Sequence, residues 1–325
     1  MKKFKVVFTD YTYQNLDIER EILNHPDIQL FDYQFRSEDD VISVASDCDI
    51  LVVQYSSITR KVINSLTNCK MIIRYAIGVD NIDLEAATEK GIYVANVPDY
   101  GIDEVSTHAV ALLLAAIRKL PQTIHDVHNS KWDYSLVKPL HRTKGTTLGL
   151  IGLGRIPCAV AKKMGGFDLN IIAYDPYANK LAADAAGVKL VDFDYLIRTS
   201  DYISIHCPLT NETHGMFNKN VFNKMKPTAI LVNTARGAVV NEADLAEACA
   251  TGKISAAAVD VTEKEPISCD SPLLNLDNVI ITPHLAWYTE ESIDTLKTKL
   301  AEEILRVIRG ESPVNLVNKA VVGGI

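Results

Sequence analysis

TLGLIGLGRIPCAVAKKMGGFDLNIIAYDPY, residues 147–177, is the stretch whose reading decides the fold. A short apolar run, 148–151, reads as a buried strand, and Gly152, Leu153 and Gly154 follow it. Residues 155–164 have helical character, and a second apolar run, 171–174, ends on Asp175. Strand, glycine turn, helix, strand and acid is the order of a dinucleotide-binding βαβ unit. Gly152 permits the tight turn. Gly154 lets backbone amides approach a pyrophosphate, whose charge the helix amino terminus favours. Asp175 follows by roughly 20 residues, where a carboxylate accepts hydrogen bonds from ribose hydroxyls. A carboxylate there repels a 2′-phosphate, so the expected cofactor is NAD and not NADP. The third fingerprint position is Pro157 instead of glycine. Proline suits the first turn of a helix, but its ring is bulkier than close helix–strand packing prefers, so a small shift of this helix is expected.

The chain has 325 residues, enough for two ordinary cores. With 47% apolar and 23% charged residues its composition is that of a soluble globular protein. A net charge of −8 without a basic stripe excludes a nucleic-acid backbone binder. The apolar run 109–117 is too short to span a bilayer. The opening MKKFKVVFTD is interrupted by Lys5 and Asp10, so no secretory leader is read and a cytoplasmic location is expected. Six cysteines, Cys48, Cys69, Cys158, Cys207, Cys249 and Cys269, lie too far apart in sequence to form a zinc or redox motif. They read as reduced thiols, and no metal is expected.

Residues 1–98 alternate strand-like runs (6–9, 29–33, 50–54, 71–74, 93–96) with helical ones (16–23, 38–45, 60–65, 84–90), the pattern of a parallel sheet covered on both faces. A long helix is expected over 103–118, with acids at its start and bases at its end, closed by Pro121. Residues 122–144 look irregular. Trp132 and Tyr134 are expected to pin that arm, either against a dimer partner or against the same subunit's sheet. Further strands at 202–206, 229–233, 255–259 and 279–282 end in polar residues, the edge where open α/β sheets bind ligands. A helix is expected at 241–251, and a long amphipathic one at 290–309.

Arg236, Glu265 and His284 lie at or shortly beyond such strand ends. Arginine holds a carboxylate or ketone through its planar fork. Histidine donates a proton to a carbonyl oxygen as hydride reaches carbon. A carboxylate beside the histidine stabilises the imidazolium and fixes the ring.

GLGRI at 152–156, NTARG at 233–237, DVTEKEP at 260–266 and TPH at 282–284 resemble the D-isomer-specific 2-hydroxyacid dehydrogenases, in the family order and over nearly the whole chain. PLHR at 139–142, AYDPY at 173–177 and HLAWY at 284–288 resemble the C-terminal-binding-protein branch, which holds NAD-dependent enzymes and transcriptional corepressors. The resemblance implies two doubly wound parallel-sheet α/β domains separated by an active-site cleft. Residues 1–98 plus 288–325 would bind substrate, and 99–287 would bind NAD. It implies Arg236 as substrate ligand, His284 as general acid/base and Glu265 as its partner. It also implies that backbone amides of Ile77 and Gly78 meet the substrate carboxylate. Arg155, Ile156, Asp175, Cys207, Pro208, Thr213, Thr234, Ala235, Arg236, Asp260 and His284 are implied to line the cofactor, with Asp260 accepting from the nicotinamide carboxamide. Trp287 would wall the substrate side-chain pocket, favouring apolar or thioether groups over a phosphate. The family is usually a homodimer built on the long helix, here 103–118.

The departures are Pro157 and Asp168, the latter where a glycine commonly ends the helix; aspartate can adopt the left-handed conformation needed there. Read alone, Arg236 is a structural ion-pair arginine and Trp287 a core filler. Glu263 competes with Glu265, and the proline after Glu265 selects the latter. Two functions are carried: NAD-dependent interconversion of a 2-keto acid and its D-2-hydroxy acid, and an NADH-gated protein scaffold resembling the corepressors. No basic cluster of the nuclear type is present, which ranks the scaffold second.

Overall fold

The structure is a computed structural model describing residues 3–322. It divides into two compact units, Met1–Gly101 with Thr289–Ile325, and Ile102–Tyr288.

In the first unit β1 (Phe4–Phe8), α1 (Asp17–Ile22), β2 (Ile28–Asp32), α2 (Glu38–Ala45), β3 (Ile50–Val53), α3 (Arg60–Ser65), β4 (Met71–Arg74), α4 (Leu84–Glu89) and β5 (Tyr93–Ala95) alternate along the chain. The strands form one parallel sheet in the order β2-β1-β3-β4-β5, a doubly wound arrangement. Every residue of β3 is buried, because helices cover both faces. Asp10 ends β1 as a buried carboxylate accepting from the amides of Gln54, Tyr55 and Ser56 at 3.3, 2.6 and 3.3 Å, which fixes the turn after β3.

The second unit begins with α5 (Ile102–Ile117) and α6 (Leu120–His128). There follow β6 (Thr147–Ile151), α7 (Arg155–Met164), β7 (Asn170–Tyr174), α8 (Lys180–Ala185), β8 (Lys189–Leu190), α9 (Phe193–Thr199) and β9 (Tyr202–Ile205). After these come α10 (Lys219–Phe222), β10 (Ile230–Asn233), α11 (Glu242–Ala250), β11 (Ala256–Val259) and β12 (Val279–Ile281). The parallel sheet runs β12-β11-β10-β9-β6-β7-β8, so the strand order reverses between β6 and β9, the switch point where such sheets take dinucleotides. Alternation along the strands feeds two cores. Ile151, Ile203, Ile205, Leu231 and Val259 pack beneath α9 and α11. Leu148, Leu150, Val232 and Ala258 pack beneath α5 and α7. The chain then returns to the first unit as α12 (Glu290–Ile308), opened by a Thr289–Ser292 capping box.

One expectation is corrected. Residues 122–144 are not irregular throughout: α6 occupies Leu120–His128 and a short 3-10 turn covers Tyr134–Val137. Lys119 takes a left-handed conformation (φ 49°) that breaks the chain direction after α5, and Pro121 sits in the first turn of α6. Proline there starts a helix, because its missing N–H has no partner to lose. The arm is not pinned to its own sheet either: Trp132 is 90% exposed and Tyr134 78%.

Candidate active site

The glycine turn is built as the sequence requires. Gly152 has φ +91°, and a side chain there would press on the backbone of His206 and Cys207 at 3.1–3.3 Å, so only glycine fits. Gly154 precedes α7 with no side-chain cap, and a Cβ on it would meet nothing within 4 Å. No side chain caps the first amides of α7, the arrangement that accepts a pyrophosphate. Arg155 is exposed, Ile156 half-buried, and Pro157 is buried in the first turn of α7. Asp168 adopts the left-handed conformation that a terminating glycine would supply (φ 55°). Asp175 reaches back to the turn: Oδ2 accepts the Leu153 amide at 2.8 Å and Oδ1 the Tyr177 amide at 2.8 Å. Both oxygens keep further lone-pair capacity for ribose hydroxyls.

Across the switch point, Cys207 is buried and its thiol is pushed up to about 11 by that burial, so it stays neutral. The Thr213 hydroxyl donates to Pro208 O at 2.6 Å and accepts from Thr210 N at 2.8 Å, holding the loop after β9. At the end of β10 the Thr234 hydroxyl is buried without a hydrogen-bond partner. A buried orphan oxygen at the ligand edge is what a bound cofactor would satisfy. With the uncapped amides of α7 and the Asp175 carboxylate, these residues fit NAD.

Arg236, Glu265 and His284 lie on the loops after β10, β11 and β12. His284 Nδ1 is 2.6 Å from Glu265 Oε2. Burial raises the Glu265 carboxyl, but the His284 hydrogen bond and charge, the Thr262 amide and the Arg236 charge together hold it below the usual carboxylate range. It is thus ionised at neutral pH and fixes Nδ1 as the donor. Glu263 is engaged elsewhere, accepting the Glu242 amide at the start of α11 at 2.8 Å.

Arg236 is positioned by its own turn. The buried Asn233 donates from Nδ2 to Arg236 O at 2.9 Å and accepts the Ala235 amide at 3.0 Å, and Arg236 Nη1 donates to Ala235 O at 2.7 Å. The next residue explains the glycine of the motif. A Cβ on Gly237 would lie 1.9 Å from Thr262 O, so glycine alone lets the arginine loop pack against the loop carrying Glu265.

His284 itself has φ 53°, an uncommon backbone for histidine. Asp260 enforces it. Its buried carboxylate accepts from Thr282 Oγ1 (2.6 Å), Leu285 N (3.0 Å) and Ala286 N (2.8 Å), and its carbonyl accepts the His284 amide at 2.8 Å. Asp260 thus organises the 282–286 loop, a role absent from the sequence reading. His108 of α5 was missed too. Its Nε2 lies 3.1 Å from Thr282 Oγ1. Asn233, in contrast, stood inside the quoted motif without an assigned task.

Trp287 is half-buried, its indole N–H donating to His284 O at 2.9 Å and its ring edge-on to Tyr288. His206 is not a chemistry-bearing group: burial lowers it to about 3, and its Nε2 meets Ser204 Oγ at 2.8 Å. Ile77 and Gly78 lie in the first unit, half-buried in the bend after β4, with Ile77 O accepting from Asn96 Nδ2 at 2.6 Å.

Comparison with known proteins agrees with this geometry. Residues 110–286 match the model of the D-isomer specific 2-hydroxyacid dehydrogenase NAD binding domain. The chain is 45% identical over 83% of its length to a D-3-phosphoglycerate dehydrogenase of Archaeoglobus fulgidus, covering 51% of that protein. It is 38% identical to a glyoxylate reductase of Korarchaeum cryptofilum over 87% of this chain and 86% of that one. The chain spans about half the length of the phosphoglycerate dehydrogenases it matches. A D-lactate dehydrogenase from Aquifex aeolicus complexed with NAD and lactic acid superposes with a TM-score of 0.84 at 28% identity, over 94% of this chain and 96% of that one. An acyclic imino acid reductase in complex with NADPH and D-Arg does so with a TM-score of 0.87 at 28% identity, over 97% and 100%. Parallel sheets with a reversal point, an NAD-type glycine turn and matches of this extent place the chain in the D-isomer specific 2-hydroxyacid dehydrogenase family.

Proposed function

We propose that this chain is an NAD(H)-dependent oxidoreductase that interconverts a 2-keto acid and its D-2-hydroxy acid. The observation that carries it is the 2.6 Å His284–Glu265 pair, with the Arg236 charge acting on the same carboxylate. Bound NADH supplies the hydride. Arg236 binds the substrate's carboxylate and ketone side, where its planar fork also stabilises charge growing on oxygen. His284 Nε2 gives its proton to that oxygen in reduction and takes it back in oxidation. Glu265 stabilises the resulting charge on the ring and keeps its orientation.

Asp175 supports NAD over NADP, because it already occupies the place a 2′-phosphate would need. Trp287, tethered to His284 O, supports an apolar or thioether substrate side chain over a phosphate. Turnover of NADH against keto acids of graded side chain, with hydroxypyruvate phosphate and glyoxylate included, tests both parts. Loss of turnover in His284→Ala and Arg236→Ala with NADH binding retained is expected. Full activity in either variant overturns the reaction, and a peak at the phosphorylated acid overturns only the Trp287 argument.

A homodimer is part of the proposal. No residue of α6 is buried, and its Leu120, Ile124 and Val127, with Trp132 and Leu136 beyond, present apolar surface to solvent. A second copy of the chain is the partner we assign to it, since contiguous apolar surface of this kind marks an interaction site. A cytosolic location is also part of the proposal; no helix among the described residues is long and apolar enough to cross a membrane.

A further inference from the structure

Two cysteines that are distant in sequence stand side by side at the amino edge of the five-stranded sheet. Cys48 lies between α2 and β3, and Cys69 between α3 and β4. Strands β3 and β4 are paired with Ile50 opposite Met71. The pairing runs on below the ladder, where the Lys70 amide donates to Asp49 O at 2.8 Å. One residue further back, the same register sets Cys48 abreast of Cys69. The two loops are also tied by Thr67, whose amide and hydroxyl both donate to Ser46 O, at 2.7 and 2.9 Å. Neighbouring strands stand about 4.8 Å apart, within the Cα separation of roughly 4.4–6.8 Å that a disulfide spans.

Both side chains belong to one apolar cluster: Cys48 is fully buried and Cys69 partly exposed. Cys69 also points its thiol at Met71 O, 3.3 Å away. The neighbouring Cys69 thiol, ahead of burial, pushes the Cys48 thiol up. Cys69 is therefore the sulfur that solvent reaches, and Cys48 the one waiting behind it.

We infer that Cys48 and Cys69 are an oxidisable dithiol, closed by a peroxide into a disulfide that staples the α2–β3 and α3–β4 loops. The Cys69 thiolate attacks a peroxide oxygen, the O–O bond breaks, one water leaves after protonation, and a sulfenic acid remains. The Cys48 sulfur then attacks the sulfenic sulfur. The S–S bond forms as the S–O bond breaks, and hydroxide leaves as water with the Cys48 proton. Two thiols lose two electrons in all, and hydrogen peroxide becomes two waters. Because the staple lies at the amino edge of the sheet, away from Arg74 and the bend carrying Ile77, it stabilises the unit without touching the residues assigned to chemistry.

The test treats the full chain, folded, with stoichiometric hydrogen peroxide, blocks remaining thiols with N-ethylmaleimide and maps peptides without reductant. A Cys48–Cys69 linked peptide is expected, with a Tm several degrees above that of the reduced protein, reversed by dithiothreitol and with NADH turnover unchanged. In Cys48→Ser, Cys69 should stop at sulfenic acid and go on to sulfinic acid with a second equivalent of peroxide, and Cys69→Ser, at the more exposed position, should leave Cys48 unoxidised. Sulfinic acid at Cys69 in the parent protein without a linked peptide overturns the inference. So does a linked peptide that forms only after denaturation.

Discussion

The Glu265 carboxylate lies 2.6 Å from His284 Nδ1, on loops that follow two neighbouring strands, and His284 holds a left-handed backbone to meet it. Such strain persists only when the surroundings impose it, and here the buried Asp260 does so through four hydrogen bonds to residues 282–286. Glu265→Gln keeps an acceptor for Nδ1–H but removes the charge that stabilises the protonated ring. Keto-acid reduction should fall by one to two orders of magnitude, about 1.4–3 kcal/mol in the barrier. An unchanged kcat in the variant would sink the pairing as a catalytic one.

Asp175 has one oxygen on the Leu153 amide and the other on the Tyr177 amide, so it links the end of β7 to the glycine turn. Asp175→Ala removes both the ribose acceptor and the charge that repels a 2′-phosphate. KM for NADH should rise roughly tenfold, the worth of one charge-assisted hydrogen bond. The preference for NADH over NADPH should narrow by at least as much. Equal ratios in parent and variant, from initial rates with the two cofactors, would refute the assignment.

How much of this was legible follows from what each feature leaves in the sequence. The turn at Gly152–Gly154 and the acid at Asp175 depend on local order and spacing, and the fold places them together as read. The α5–α6 break was misread because Pro121 stops one helix and starts another, and sequence marks both events with the same residue. The apolar residues 120, 124 and 127 of α6 do carry helical spacing, but a helix with no buried face in its own chain offers little else to read. β8 has two residues, too few for any periodicity. The Asp260 cage and the His108–Thr282 contact join positions far apart in the chain. Only the packing of α5 over the sheet brings the latter pair together.

That contact has its own consequence. Thr282 Oγ1 gives its only proton to Asp260, at 2.6 Å, so toward His108 Nε2 at 3.1 Å it acts as acceptor. His108 is thereby a positioning residue for the loop that carries His284. His108→Ala should lower kcat by about tenfold, near 1.4 kcal/mol, with KM for NADH little changed. His108→Gln, whose amide can donate to Thr282, should recover most of it. Equal losses in both variants would show that only side-chain volume matters.

The exposed apolar arm gives a test in solution. Ile124 is 54% exposed on a helix with no buried residue, and Trp132 follows a few residues on. Ile124→Glu with Trp132→Ala should leave folding intact, since neither side chain packs in the subunit's own core, and should weaken self-association by roughly 100-fold or more. Sedimentation of parent and variant over a range of concentrations reads this directly. A parent that sediments as a monomer would discard the homodimer.

The last prediction concerns stability and lies in the first unit. Glu19 of α1 is fully buried, neither carboxylate oxygen meets a donor on another residue, and Lys297 Nζ of α12 stands 3.9 Å away. Lys297 spends its hydrogen bond on Asn15 O, at 2.7 Å, so it offsets the charge of Glu19 without satisfying it. Burial, only partly opposed by that ammonium, pushes Glu19 up to about 7. The folded state therefore keeps a proton that the unfolded chain, with a carboxyl near 4.5, has already released. Where the folded state binds more protons, stability falls as pH rises, so the loss begins above the unfolded value and is complete once pH has passed the folded one. Each tenfold difference in proton affinity between the folded and unfolded chain is worth about 1.4 kcal/mol, and a penalty on the order of 1–3 kcal/mol between pH 5 and 8 is expected. Glu19→Gln has no proton to lose and should flatten that slope, with Lys297 still held by Asn15. Denaturant melts of both proteins across this range decide the matter, and parallel slopes would mean that Glu19 ionises without cost in the fold.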